Sequence, residues 1–593
     1  MSQRKMVART TSRSSKNRRT ARESGQAAVF LVLAMGIFLI GGIGFVVDGA
    51  NLWFHRQSAQ TAADAACTAG AMDLLSTAAG ASLPNATDWI GNSFQCSGTT
   101  GGGSNPTSNS TFPPCQYAGF NGYSGSGLQG VQVSFPAAGS VSAATTCPTG
   151  IPYSSSTPVC DADVVSTPNM QLQVTDNVSM TFIRLLGAGS TSRVPAKTTC
   201  GLSNVLSAVP ILVLNPNAPT SGAANTLTAD TGSTVTVFGG LEKSIQVNSS
   251  DAAAVNLSSA TVDLSQANGG NGGNFAVVTR ESVADANVTL ANANSHWVNA
   301  AGLTTDPYAM IDAPAKPAGA PPVSRLDPCP GYDPNISCDE YQAGYYPATK
   351  TCNGATVSIC VGGLGGGGGS GGDTLAIFEP GIYYLDGDFA TVSANHVCLR
   401  PGTAIGDGSG GTMFFLHGTS TLNKGPNPAP MTLKFKGTVV FACADPTYGV
   451  PVSSLSCISN VPPGTTTLTG NVLLAPCTGP YGDPLAAGQE RGLLFFHDRD
   501  TQPIAQPSWI SSGSFGLVGS LYFHNCNSIT VSGSGSGVNC DPTAFTETLT
   551  LSSGANAYVI GNIVADQLHL AGPITVGLSP KKEYYTLKAS LLQ

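Results

Sequence analysis

The chain has 593 residues, of which 10% are charged and 72 are glycine, and its formal net charge is −8. An ordinary soluble domain carries about 25% charged residues and about 7% glycine, so this surface must be built from Gly, Ser, Thr and Asn, which argues against a compact cytosolic enzyme. The acidic balance excludes a nucleic-acid partner, whose phosphates need a basic face, while 41% hydrophobic residues and a mean hydropathy of +0.09 supply enough apolar surface to fold.

The charge is unevenly placed. Arg4, Lys5, Arg9, Arg13, Lys16, Arg18, Arg19 and Arg22 crowd residues 1–24, with Glu23 as the single acid among them. Residues 25–48 follow as a transmembrane helix: from Ala27 to Val47 there is no charge, and at 1.5 Å per residue such a run matches a hydrocarbon core of about 30 Å. The basic run then acts as a positive-inside signal, which holds the N-terminus in the cytoplasm and sends everything after Asp48 outside. A cleaved secretory signal is the competitor. Its apolar region is usually about 7–15 residues and ends at small residues, whereas here Val46-Val47-Asp48 puts a carboxylate at the exit, so an uncleaved single-pass anchor in the inner membrane is expected.

Residues 49–78 continue the helix outward, with Ala59, Ala62, Ala63, Ala66, Ala69 and Met72 among Gln57, Gln60 and Asp64. Gly25-Gln26-Ala27-Ala28, Val47-Asp48-Gly49-Ala50 and Gln57-Ser58-Ala59-Gln60-Thr61-Ala62-Ala63-Asp64-Ala65-Ala66 together resemble the N-terminal segment of TadG-like proteins of bacterial tight-adherence (Flp-type) pilus loci. The resemblance covers about 50 residues. It implies a role in assembling or anchoring adhesive pili, alongside other pilus-assembly or pilin-like proteins. Pilin-like precursors processed after a glycine carry Glu at the fifth mature position; counted from Gln26 that position is Phe30, so retention of the basic tail is expected. Many TadG-like proteins also carry a metal-dependent adhesion domain with a D-x-S-x-S string, which is absent from this chain.

All 16 cysteines follow the span, as export to an oxidising compartment requires. Cys147/Cys160, Cys329/Cys338, Cys352/Cys360, Cys443/Cys457 and Cys526/Cys540 have the spacing of small cystine loops, though spacing leaves connectivity open. Structural zinc is the rival, and it is disfavoured because no C-x-x-C occurs and His is scarce near these pairs.

Residues 79–128 read as a loop-rich segment without a core of its own. Residues 129–203 read as a small α/β module, pilin-like by the same resemblance: strands at Val131–Phe135, Leu172–Thr175 and Ser192–Val194, and a short helix at Met180–Gly187. Short alternating strands fill residues 204–312, such as Val235-Thr236-Val237 and Ile245-Gln246-Val247, and recur in 375–593, such as Leu549-Thr550-Leu551 and Ile574-Thr575-Val576. Strands this short bury too little alone, but stacked as rungs they share one core. The expected architecture is therefore mainly β: the N-terminal helix, the small module, then a right-handed β-helix or solenoid in two parts, with an irregular β-sandwich as the alternative. Residues 313–374, rich in Pro, Cys and Gly and ending in Gly365–Gly369, read as an insertion plus flexible linker.

Several groups could carry chemistry. Three rungs end alike, at His417, His497 and His524; in register, their imidazoles would form a column able to hold a transition metal, while the simpler reading is strand-edge histidines. His497-Asp498-Arg499-Asp500 combines acid, base and cation as a sugar-cleaving β-helix would need, against a solvated loop. Asp386-Gly387-Asp388 and Gly406–Gly411 are weakly similar to calcium loops, which turns also explain. Gly368–Gly372 fits the nucleophile-elbow spacing but sits in polyglycine. No catalytic, cofactor or metal residue is assigned. The expected function is structural, assembly or surface adhesion, with a surface or envelope polysaccharide as a further candidate ligand; the alternative is an envelope-anchored polysaccharide lyase or hydrolase on a β-helix.

Overall fold

The computed structural model describes residues 20–78, 86–97, 99–100, 107–136, 169–186, 190–207, 209–216, 226–257, 259–279, 290, 294–308, 311, 313–326, 337–352, 355–361, 374–391, 396–399, 411–417, 450–451, 461–468, 471–477, 481–482, 491–498, 508–511, 514–524, 528–529, 539–540, 548–554, 557–578 and 584–592. The first 19 residues, the Gly365–Gly369 run, Arg499 and Asp500 lie outside them. The chain is mainly β with one long N-terminal helix.

That helix runs unbroken from Thr20 to Ala78, about 90 Å at 1.5 Å per residue. Its two halves differ. In the first, apolar side chains point away from the protein, as at Phe30 (73% exposed) and Phe38 (81%). In the second, Ala59, Ala62, Ala63, Ala66 and Ala71 are buried, at the i, i+3, i+4, i+7 and i+12 positions of one helix face, so that small side chains line it and let a sheet approach closely.

The sheet is five-stranded and antiparallel, in the order Phe94–Gln95, Gln129–Ser134, Met170–Ser179, Thr191–Ser207, Tyr584–Leu592. Val131, Val133, Leu172, Val174, Ala196 and Leu202 meet the alanine face, and Cys67–Cys200 ties helix to sheet covalently. Two expectations are corrected here. Residues 79–128 do contribute to a core: Trp89, Phe94 and Phe112 form an aromatic cluster, and the Cys96–Cys115 disulfide pins the helix Pro113–Phe120 beside it. The segment 375–593 is not wholly a second solenoid part either, because Tyr584–Leu592 returns to close the head sheet. None of the five close cysteine pairs has both side chains described; Cys360 and Cys477 are disulfide-bonded.

Between Ser207 and Tyr584 the chain builds a body whose three largest sheets are paired in parallel throughout; smaller sheets beside them include antiparallel pairs, such as Val323–Leu326 with Ser337–Tyr341. The longest has ten strands, in the order Trp297–Val298, Asn274–Val277, Lys243–Val247, Ile211–Val213, Ile563–Ala565, Ser520–Phe523, Leu493–His497, Thr412–Leu416, Gly381–Leu385, Gly344–Tyr346. The chain thus enters at the fourth strand and builds outward to Trp297. It then restarts from the opposite end at Gly344 and works back until Ile563–Ala565 pairs with Ile211–Val213. The two shorter sheets close at the same level, where Leu568 faces Leu227 and Ile574 faces Val235. A single apolar cluster fills the space between the sheets, from Phe275 and Ile245 through Ile211, Ile563 and Leu521 to Phe495, Phe414 and Tyr383. Antiparallel sheets would be needed for the sandwich alternative.

The outer face of the ten-stranded sheet is apolar too, along Leu212, Val564, Tyr522, Phe496, Phe415 and Tyr384. Parallel sheets need cover on both faces. Cover comes from the segment that carries the chain from one end of the stack to the other. Thr304 exchanges hydrogen bonds with Asn248 (2.7 and 3.1 Å), Asp306 accepts from Tyr522, the Tyr308 hydroxyl donates to Asn562, and Lys316 reaches Asp386 at 2.8 Å. Tyr308 and Ile311 pack on the apolar column beneath. Pro307, Pro314 and Pro317 suit an extended strap with few backbone bonds of its own. Residues 337–352 and 355–361, within the stretch read as an insertion plus flexible linker, form strands at the end of the stack. Tyr341 stacks on Phe378 at 4.9 Å and Tyr346 on Tyr383 at 5.9 Å, which is why this Pro- and Cys-rich stretch is ordered.

Candidate functional site

Two constellations stand out, one at the junction of helix and head and one along the body. At the junction, Gly44 and Asp48 lie one turn apart on the same helix face, and both are buried by the hairpin tip between Met170–Ser179 and Thr191–Ser207. The Asp48 carboxylate accepts the backbone N–H of Thr181 through Oδ1 (3.1 Å) and those of Phe182 and Ile183 through Oδ2 (2.9 and 2.7 Å). Phe182 and Ile183 stand at the start of a turn, Ile183–Leu186, where backbone N–H groups have no partner within the turn. Two turns further on, His55 Nδ1 sits 2.8 Å from Asp176 of the same hairpin. The helix is therefore fastened to the head by polar groups at Asp48 and His55 and by the Cys67–Cys200 disulfide beyond them.

Along the body, each strand of the ten-stranded sheet from Gly381–Leu385 to Ile563–Ala565 is followed directly by a titratable residue at the same level: Asp386, His417, Asp498, His524 and Asp566. The backbone confirms the register, since the N–H groups of Asp386, His417, Asp498 and Asp566 donate to Tyr346, Leu385, Leu416 and Phe523 on the preceding rung. Rungs are about 4.8 Å apart, a distance that neighbouring Asp and His side chains bridge. His417 Nδ1 lies 2.9 Å from Asp386 Oδ1, and its Nε2 lies 3.5 Å from Asp498. His524 Nδ1 lies 2.5 Å from Asp566.

The column is graded from wet to dry. The side chain of His417 is 28% exposed, whereas that of Asp566 is 0%. At the wet end Lys316 of the strap bonds Asp386 and lies over the Tyr345 ring, and the Tyr345 hydroxyl donates to the same carboxylate. Burial works to raise the Asp386 carboxyl, but the hydrogen bonds from Lys316 and Tyr345 and the positive charge beside it outweigh burial and hold it below the ordinary carboxylate value. Burial first, then the charges of Asp386 and Asp498, push the Tyr384 hydroxyl up to about 12.

The proposed column of His417, His497 and His524 is corrected by this register. Leu416 pairs with His497, and a shift between Leu493 and Phe495 advances that strand by one residue against its neighbours. A one-residue slip sends a side chain to the other face: His497 is buried inside, stacked on Phe523, and Asp498 takes the place between His417 and His524. The member that the three matching strings hid was therefore Asp498. The signal that would have found it is a wider repeat, a glycine followed five or six residues later by Asp or His, as in Gly381/Asp386, Gly411/His417, Gly492/Asp498, Gly519/His524 and Gly561/Asp566. Of the His497-Asp498-Arg499-Asp500 cluster, Asp498 joins the column and His497 the core, while Arg499 and Asp500 fall outside the described residues. Asp386 is engaged by Lys316, Tyr345 and His417, and Gly406–Gly410 and Gly368–Gly372 also fall outside. Among the described residues, no group of three or more His, Cys, Asp or Glu is arranged to hold a metal ion.

The helix up to Thr77 is long and apolar enough to cross a membrane by length and composition. No curated protein and no solved structure matches the chain. The helix itself has a counterpart: residues 25–73 match the family Tad, described as "Putative Flp pilus-assembly TadE/G-like", so the N-terminal segment of this chain is TadE/G-like.

Proposed function

We propose that this chain is a membrane-anchored, extracytoplasmic component of a bacterial Flp-type, tight-adherence pilus system, in which it assembles, scaffolds or attaches without catalysing a reaction. The observation that carries this reading is the coincidence of the family match with the two-sided helix: residues 25–73 include both the exposed apolar half and the alanine face buried under the head. Residues 27–47 cross the inner membrane, the basic tail stays in the cytoplasm, and head and body stand outside. The parallel body is read as a right-handed β-helix whose Ser, Thr and Asn side chains present many weak hydrogen-bonding groups to pilus subunits or to an envelope or surface polysaccharide. The aromatic interior and the Asp–His column keep that surface rigid.

The test is made in the cell. Protease added to intact spheroplasts removes everything beyond the span while a tag ahead of Arg4 stays protected, and an in-frame deletion of residues 208–583 abolishes pilus assembly or surface attachment. A protected C-terminus, or normal attachment by the deletion strain, defeats the reading.

A further inference from the structure

We infer that the tip of the head hairpin, Met180 to Arg184, is seated in the outer boundary between headgroups and acyl chains of the same bilayer that the helix crosses, so that lipid holds the head at a second point beside the span. The inference rests on the anchoring proposed above. The uncharged run ends at Val47, and Gly44 lies three residues inside it, about 4–5 Å toward the hydrocarbon at 1.5 Å per residue. Phe182 sits directly on Gly44: a Cβ at that glycine would lie 2.7 Å from the Phe182 Cβ and 2.8 Å from its Cγ. The Phe182 ring is therefore fixed at a depth where the helix is already apolar, and it is fixed from both sides, because Asp48 holds the backbone of residues 181–183.

Composition fits that depth. Phe182 and Ile183 are partly exposed at the tip, where an aqueous turn would be expected to carry polar residues, and exposed Arg184 follows, with a side chain long enough to keep its charge at phosphate level while its stem lies among acyl chains. On the helix, Trp53 (65% exposed) and Phe54 (66%) project within about two turns of Val47, at the level where aromatic side chains collect at membrane interfaces. Phe182, at the level of Gly44, thus stands on the hydrocarbon side of the interface, and Trp53 and Phe54, about 14–15 Å further along the helix axis, stand on its aqueous side. The source of this arrangement is local: glycine at 44 allows the approach, and a carboxylate at 48 rewards it with three hydrogen bonds.

The experiment uses the full chain in nanodiscs of phosphatidylethanolamine and phosphatidylglycerol, with one trifluoromethyl-phenylalanine in place of Phe182, Phe38 or Phe120, read by fluorine NMR. Phe38 lies in the span, and Phe120 is 79% exposed on the head. Lipid spin-labelled near the top of the acyl chain should erase most of the signal at 182 and leave 120 intact, while a soluble gadolinium chelate should do the reverse. If 182 behaves like 120 while 38 stays out of reach of the chelate, the anchor stands and the seated tip is wrong. If 38 is also reached from water, the anchoring itself fails and takes the tip with it. A signal at 182 that neither probe reaches means that protein covers the tip, which also overturns the inference. Should the label at 182 prevent folding, the same pair of probes is read from a trifluoromethyl-phenylalanine at Ile183.

Discussion

Ser207 and Tyr584 face each other at the start of an antiparallel ladder that runs on to Thr199 and Leu592. The chain therefore leaves the head and re-enters it at one point, with the whole body held between two paired residues. The body mirrors this closure, since its first and last complete rungs, Ile211–Val213 and Ile563–Ala565, are neighbours. An insertion whose ends meet costs its host little, because the host's ladder and core are complete without it. The head also owns its covalent ties, Cys67–Cys200 and Cys96–Cys115.

Replacing residues 208–583 by Asn-Gly should therefore give a head that folds with its helix. Asn-Gly suits the two-residue turn between directly opposed antiparallel strands. Non-reducing mass analysis should find both disulfides, and circular dichroism should record a cooperative melt. A chain with scrambled disulfides and no transition would mean that the body is needed to form the head.

The two disulfides differ in what they constrain. Cys67–Cys200 spans 133 residues and Cys96–Cys115 spans 19, which in the chain-entropy account correspond to about 5 and about 3 kcal/mol. In the full chain, Cys67→Ala with Cys200→Ala should lower head stability by more than Cys96→Ala with Cys115→Ala, measured by urea titration. The reverse order would show that local packing around Trp89 and Phe112 outweighs loop closure.

The wet end of the Asp–His column should respond to acid in a defined sense. The folded-state value of Asp386 lies below its ordinary 3.8, so the unfolded chain takes up the proton first. Its contribution is full above the unfolded value and is lost as pH falls through the folded one. Asp386→Asn should cost about 1–3 kcal/mol at neutral pH, and the gap between the two proteins should close as pH drops below 3.8. A gap that stays constant down to the acid limit of the folded state would remove the carboxylate from this role.

How much of this was legible in the sequence depends on the range over which the information is held. The helix was, because the uncharged run from Ala27 to Val47, followed by alanines at helical spacing, is a local pattern. The short strands were legible for the same reason. Their order was not: nothing near Ile211 says that its neighbour is Ile563, or that Gly344 opens the far end. Tyr584–Leu592 alternates like any rung, and only its partner makes it part of the head. The histidine strings misled because the shift between Leu493 and Phe495 changes which residue faces which, and His497 and Asp498 exchange faces over a single step. Residues 337–361 were obscured by composition, since prolines and cysteines around Tyr341 and Tyr346 conceal two aromatic core residues.

Asp48 offers the most direct test of how helix and head are joined. Its two oxygens carry unequal loads, Oδ1 accepting one amide and Oδ2 two. Asp48→Ala removes both acceptor oxygens and leaves three backbone donors behind, a loss of about 1–3 kcal/mol for each donor that water cannot reach. Asp48→Asn can turn its one carbonyl oxygen toward Phe182 and Ile183, but it then presents its amide to the N–H of Thr181, so one bond is lost and two remain. Amide hydrogen exchange at residues 181–183 should therefore rise in the order wild type, Asn, Ala. At about 1.4 kcal/mol per factor of ten, the alanine variant should exchange about 5–150-fold faster there, with protection at Val131 and Leu172 unchanged because the Cys67–Cys200 disulfide and the alanine face still hold the sheet. Equal exchange in all three proteins would mean that the tip is held by Phe182 on Gly44 alone. Loss of protection throughout the head would mean instead that Asp48 supports the whole sheet and not only its tip.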